Sequence, residues 1–165
     1  MKKKNAATVL LASILATATL QQEQMNAVYQ TVESIQELTY NQAKSNEVIT
    51  SLNLLKQLLA MLNSFLAAEK FYVDDIDKDL PELINIRDAV QSIVALVRNY
   101  LIEREAFVEY KNELRIFSNE VFKLNLALGK IRDNHKQFNI VDDGISFSQN
   151  ELKNLVTDSD KAHCV

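Results

Sequence analysis

An apolar residue at every seventh position over a long stretch is the feature that most constrains the fold. Seven successive positions at this spacing are apolar: Ile86, Ile93, Tyr100, Phe107, Leu114, Val121 and Leu128. A sustained seven-residue repeat keeps one helix face apolar and is typical of helices that pack side by side, as in coiled coils. The repeat therefore predicts one long amphipathic helix over residues 81–136.

A second apolar row accompanies the first and changes side midway. Its members are Leu83, Val90 and Val97 in the first half, and Tyr110, Phe117, Leu124 and Ile131 in the second. The positions that would continue the first half hold Arg104 and Lys111. We therefore expect this helix to pack on two different neighbours. Unbroken, it would extend roughly 80 Å and make the molecule elongated; a kink near Arg104 is the alternative.

Glycine and proline are nearly absent from the 165 residues, with two Gly and one Pro. Strand-rich and irregular folds need these residues to build turns. Apolar residues make up 47% of the chain, which at this length is enough for one domain with a core. The predicted fold class is all-α: an elongated helical bundle with coiled-coil-like antiparallel long helices and a short C-terminal helix.

Residues 21–70 also have helical spacing. Val28, Val32 and Ile35 predict one buried face, and the polar stretch 41–46 either crosses solvent or breaks the helix. Over residues 52–66, two apolar rows run side by side and cover more than half of the helix circumference. An apolar surface of that width indicates a helix packed between two neighbouring helices rather than one with a solvent-exposed face.

A group of aspartates precedes the long helix: Asp74, Asp75, Asp77 and Asp79. We expect residues 71–80 to form a solvated linker, with Asp79 capping a helix that starts at Pro81. A calcium loop is a poor match. The position that requires glycine holds Leu80, and the position that requires glutamate holds Ile86.

The first twenty residues have the pattern of a secretory signal peptide. A basic start that includes Lys2 is followed by an uncharged apolar run over residues 6–20. Ala16 and Ala18 supply the small residues that signal peptidase requires, which predicts cleavage after Ala18. An uncleaved N-terminal anchor is one alternative. An ordinary amphipathic first helix is another, although the run has no charged face. Export predicts a periplasmic or secreted bacterial protein.

The C-terminal part is predicted to contain a short last helix. Ser148 and Glu151 have the spacing of a capping box, which indicates a helix over residues 149–157. We therefore divide the chain into a signal peptide over 1–18, one helical-bundle domain over 19–157 and a flexible tail over 158–165.

The sequence contains no pattern typical of catalysis, cofactor binding or metal binding. His135 and His163 lack companions at ligand spacing, and Gly129 and Gly144 are too far apart for a phosphate loop. Cys164 has no partner within the chain and is interpreted as a free tail thiol, with an intermolecular disulfide as the alternative. Cleavage after Ala18 would remove three lysines and change the formal charge from −4 to −7. An acidic mature chain without a basic cluster argues against a nucleic-acid partner.

The second half of the long helix has an aromatic-rich side. Its candidate protein-interaction residues are Phe107, Tyr110, Leu114, Phe117, Val121 and Leu124. Two interpretations remain open for them: core packing against the first helix, or docking of a partner or a second copy. Substituting Phe117 or Leu124 by Asp should disrupt folding in the first case and assembly in the second.

A signal-like start followed by charged helices with almost no glycine is similar to small periplasmic components of bacterial conjugation and type IV secretion systems. The resemblance is architectural, involves no specific motif and transfers no residue roles. It implies an exported, non-enzymatic structural or adaptor protein that acts through helix packing in a larger assembly. Two alternatives remain: a membrane-active helical protein, which is not favoured, and a virion or cytoplasmic assembly protein with an uncleaved N-terminal arm.

Overall fold

Four helices make up nearly all of the chain that the structure, a computed structural model, describes. The described residues are 21–67, 73–134 and 155, with side chains for 22–67, 80–133 and 155. The helices are α1 (Gln21–Tyr40), α2 (Ser45–Ala67), α3 (Val73–Glu103) and α4 (Phe107–Asn134). The prediction of an all-α bundle is confirmed.

The bundle consists of two hairpins, α1–α2 and α3–α4, which meet through contacts of α1 with α3 and of α2 with α4. The Tyr100 hydroxyl, near the end of α3, donates to the Ala43 carbonyl after α1, so both turns lie at the same end. At the opposite end, Gln22 Nε2 donates to Glu82 Oε1 at 3.2 Å. Therefore α1 runs parallel to α3, and α2 runs parallel to α4.

The core is one apolar cluster to which all four helices contribute. Every member of the seven-residue row from Ile86 to Leu128 is buried, with three positions on α3 and the last four starting at Phe107 on α4. Helix α2 packs against both α1 and α4, which confirms that residues 52–66 lie between two neighbours. Each large apolar side chain buried in this way contributes about 1.5–3 kcal/mol.

The prediction of one continuous helix over residues 81–136 is wrong. The chain leaves α3 at Glu103 and returns in the opposite direction as α4 from Phe107. The longest helix, α3, has 31 residues and extends about 45 Å, so the elongation inferred from a continuous helix does not follow. The companion row changes side because α3 packs on α1 whereas α4 packs on α2.

The α1–α2 turn is a Schellman motif. Ala43 N–H donates to the Leu38 carbonyl at 2.9 Å, and Gln42 N–H donates to the Thr39 carbonyl at 3.2 Å. Gln42 has a φ of 57°, in the left-handed region. This pair of bonds satisfies carbonyls that the helix end would otherwise leave open, and the left-handed residue turns the chain away.

The α3–α4 turn repeats that geometry. Ala106 N–H donates to the Leu101 carbonyl at 2.8 Å, and Glu105 N–H donates to the Ile102 carbonyl at 3.0 Å. Glu105 also has a φ of 57°. In each turn the accepting residue is a leucine two positions before the last helical residue, and the donating residue is an alanine three positions after it. The Schellman motif usually pairs apolar residues at these two positions.

Helix α3 begins at Val73. The predicted helix start at Pro81 is therefore wrong, and residues 73–80 are helical where the sequence predicted a linker. Pro81 lies inside the helix. A proline in a helix interior costs roughly 3 kcal/mol because it removes a backbone donor and crowds the preceding turn. Packing offsets this cost, since Leu80 and Leu83 on either side of Pro81 are fully buried.

Several predictions fall on residues outside the described part. These are the signal peptide over 1–18, the tail over 158–165, and the surroundings of His135, His163 and Cys164. The predicted last helix over 149–157 lies outside it too, apart from Leu155, which is helical and packs against the core.

Candidate functional site

The six residues predicted as an interaction face lie within the bundle. Five are fully buried and Tyr110 is half-buried: Phe107, Tyr110, Leu114, Phe117, Val121 and Leu124. They fill the space between α4 and its neighbours α2 and α3. Four long helices are enough to cover this stripe, so its position matches the core-packing interpretation. A partner could reach these residues only if the bundle opened.

The opposite face of α4 carries apolar side chains in solvent. Val108 is 64% exposed, Ile116 49% and Leu126 47%. Within the described part of the chain, only one other large apolar residue, Tyr40, is exposed. Isolated apolar residues on a surface are normal, but these three lie on the solvent-facing side of the same helix, at intervals of eight and ten residues.

Exposed residues on this face follow the spacing of a coiled-coil seam. Helix positions three and four apart share a face, and six residues step along α4 at this alternating spacing: Glu109, Asn112, Ile116, Asn119, Lys123 and Leu126. All six are exposed. We call this set the outer seam. Sequence reasoning missed it because only two of its members are apolar.

Helix α4, which carries the outer seam, is hydrogen-bonded to α2 through Asn63 and Glu120. Asn63 Nδ2, on α2, donates at 3.0 Å both to the Glu120 carbonyl and to Glu120 Oε2. Glu120 Oε1 in turn lies 3.2 Å from Lys123 Nζ. Because the ammonium group has three donors and the Lys123 side chain is 63% exposed, Lys123 can bind a further carboxylate from solvent.

A buried arginine ties α3 to α4 behind the seam. Arg87 is almost fully buried, its Nε lies 2.8 Å from Asp88 Oδ1, and its Nη1 donates to Asn125 Oδ1 at 3.2 Å. A buried guanidinium is costly unless bonded in this way, and the hydrogen bond to Asn125 requires one register between the two helices. The sequence did not indicate that Arg87 and Asn125 are buried. Each directly follows a member of an apolar row along the chain, and the row alone was predicted to face the core.

A second surface feature is a groove between α1 and α3 near the turns. It encloses about 570 Å³ and is lined partly by the amides of Gln36, Gln42 and Asn99, with Tyr40 at its rim. The groove is open, and Glu103 is the only charged residue among the described residues that line it. It therefore offers weaker chemical selectivity than the outer seam.

No family model, curated protein or solved structure matches the chain. Among the described residues, no group of three or more His, Cys, Asp and Glu side chains is placed to hold a metal ion. None of the described helices is long and apolar enough to cross a membrane. The outer seam of α4 is thus the feature of the described surface that points most directly to a function.

Proposed function

We propose that this protein is an exported, non-enzymatic structural or adaptor protein whose outer seam on α4 packs against another helix in a larger assembly. The observation that carries the proposal is the exposure of Val108, Ile116 and Leu126 on one helix face. Apolar side chains that face solvent along one helix face, with polar residues between them, can be buried against a partner helix.

The composition of the outer seam suits a docking surface on a protein that is also stable alone. Ile116 and Leu126 supply apolar area, worth about 25 cal/mol for each Å² removed from water. Asn112 and Asn119 keep the free surface hydrated and can form hydrogen bonds with a partner. At 1.5 Å per residue the seam extends about 25 Å, a length that one partner helix can follow.

Export is supported by the sequence of residues 1–18, with their basic start, apolar run and small residues before the expected cleavage point. We propose the bacterial periplasm as the compartment, and a conjugation or type IV secretion system as the assembly, on the architectural resemblance alone. The membrane-active alternative is based on residues 52–66 and on the N-terminal apolar run. Burial of most of the leucines of α2 in the core weakens the first of these two grounds.

Site-specific photo-crosslinking in the producing cells tests the docking proposal. A photoreactive residue replaces Ile116 in one variant and Gln57, an exposed residue of α2, in a matched control. We expect a discrete adduct from position 116 and none from position 57. The proposal fails if position 116 gives no adduct, or if the two positions give the same adducts.

Mass spectrometry of the native N-terminus tests export separately. Cleavage after Ala18 leaves a chain that starts at Thr19. Recovery of the protein with an intact Met1 would contradict cleavage after Ala18 and leave the uncleaved anchor and the uncleaved arm as the alternatives.

A further inference from the structure

Two oppositely charged residues of the outer seam of α4 lie at equal distances on either side of Ile116. Ile116 lies seven positions after Glu109 and seven positions before Lys123. The flanking carboxylate and ammonium are thus equally distant from Ile116, on opposite sides and in the same row of the helix surface. All three side chains are exposed.

We propose that the outer seam binds the same seam of a second copy of this chain, with the two α4 helices antiparallel about a two-fold axis at Ile116. This proposal rests on the proposed function and names the partner. In such a pair, residues at equal distances before and after Ile116 face each other. Glu109 of each copy meets Lys123 of the other, so the symmetry forms the ion pair twice.

The remaining residues of the seam also find suitable counterparts in this arrangement. Asn112 lies four positions before Ile116 and Asn119 three after it, so the two amides of opposite copies come together and can share hydrogen bonds. Val108 lies near Leu126 of the other copy, which adds an apolar contact at each end. The two Ile116 side chains meet at the centre.

The charges select this orientation over a parallel one. In a parallel pair, Glu109 would face Glu109 and Lys123 would face Lys123, so both ion pairs would become repulsions. A two-fold contact requires one surface to complement itself. The outer seam meets that requirement in charge, in amide pairing and in apolar contact. A second copy therefore matches this surface from Glu109 to Lys123, and Val108 of the other copy lies near Leu126.

Disulfide trapping tests the orientation, in chains that also carry Cys164→Ser. Asn112→Cys and Asn119→Cys are made in separate chains. In the antiparallel pair, the two copies of position 112 lie about 12 Å apart along the helix axis, which exceeds the Cα separation of roughly 7 Å that a disulfide spans.

We expect a mixture of the two single variants to cross-link at least fivefold faster than either variant alone. Equal cross-linking by a single variant and by the mixture would overturn the antiparallel pairing. An absence of cross-linking in all three samples would do the same.

Charge reversal tests the ion pairs. Glu109→Lys and Lys123→Glu should each weaken self-association about tenfold at low salt, because each places two like-charge pairs across the axis. A mixture of the two variants should regain wild-type affinity, since every Lys then faces a Glu. Sedimentation equilibrium measures the affinities, and Gln57→Lys on α2 serves as the matched control. Single variants that associate like the wild type would contradict the proposal.

The two proposals fail in different ways. A wild-type protein that stays monomeric at every attainable concentration, while position 116 cross-links to a different protein in cells, overturns the second copy and leaves the docking function standing. A monomer whose position 116 cross-links to nothing overturns both.

Discussion

The turn between α1 and α2 and the turn between α3 and α4 have the same backbone geometry in different surroundings. Gln42 and Glu105 hold the left-handed position with the same φ of 57°. Neither is glycine, the residue that adopts this conformation most readily. Packing of the flanking helices therefore imposes a conformation that the local sequence does not favour.

The residues that follow the two turns differ. Lys44, after the first turn, is exposed, and its backbone N–H donates to Glu47 Oε2 at 3.2 Å, half of a capping box. Phe107, after the second turn, is fully buried. The first turn is thus stabilised by local polar groups, whereas the second is stabilised by the core. This difference predicts how each turn responds to substitution.

Phe107→Ala should have the largest effect. Removing a fully buried aromatic side chain costs about 3–5 kcal/mol, because apolar contacts are lost and a cavity remains. Lys44→Ala, at the corresponding position of the first turn, should change the free energy of unfolding by less than about 0.5 kcal/mol. Urea denaturation measures both. Similar losses in the two variants would show that the turns do not differ in this respect.

Tyr100→Phe should reduce the free energy of unfolding by about 1–2 kcal/mol. The substitution removes the hydroxyl that donates to the Ala43 carbonyl and joins the two turns, while the ring remains beneath Arg104, whose guanidinium lies 5.1 Å from its centre. Tyr40→Phe is the matched control, since Tyr40 is 85% exposed. If the two variants unfold alike, the hydroxyl does not couple the turns.

Gln42→Gly and Glu105→Gly should each stabilise the protein by roughly 0.5–1 kcal/mol. Glycine has no Cβ to clash at φ 57°, and this gain exceeds its greater entropy in the unfolded chain. Thermal unfolding measures the gain. Asn41→Gly, at a position without positive φ, serves as the control and should destabilise slightly. A loss at Gln42 or Glu105 would contradict a left-handed conformation at that turn.

The smallest effect is expected at the opposite end of the bundle, at Tyr29. Burial, and secondarily the nearby Glu82 carboxylate, raise the pKa of the Tyr29 hydroxyl above its ordinary value of 10.0. Above pH 10 the unfolded chain loses this proton before the folded chain does. The contribution of Tyr29 to stability is therefore full below pH 10 and is lost as the pH rises through the higher folded pKa.

Denaturation from pH 9 to pH 11 should show a smaller decrease in stability for Tyr29→Phe than for the wild type. Parallel curves for the wild type and Tyr29→Phe would indicate that the folded bundle does not disfavour the ionised Tyr29.

The apolar pattern predicted the helical faces well because burial on a helix follows directly from a period of 3.6 residues. It also allowed for a helix break within residues 41–46, where a run of polar residues interrupts the apolar rows. It did not reveal the start of α3 at Val73, because the aspartates resemble a cap and Pro81 resembles a helix start. Packing around Leu80 and Leu83 outweighs both local signals.

The candidate site was not predictable in the same way. A search for apolar rows finds the helix faces that the fold buries. It therefore selected the six residues from Phe107 to Leu124 as an interaction face, and the structure places them within the bundle. The outer seam alternates apolar, amide and charged residues, so it does not stand out until the bundle shows which face of α4 meets solvent. Its symmetry about Ile116 becomes relevant only once that face is known to be exposed.

The sequence by itself determined that the chain is all-α and which side of each helix is buried, since both depend on the spacing of residues along one helix. Only the tertiary structure decided that the chain reverses between Glu103 and Phe107. Residue spacing records position around a helix axis but not the direction in which the chain runs. After the turn, α4 packs on the same core, and Phe107 is buried as its first residue. The seven-residue row from Ile86 to Leu128 is therefore buried on both helices, although they run in opposite directions.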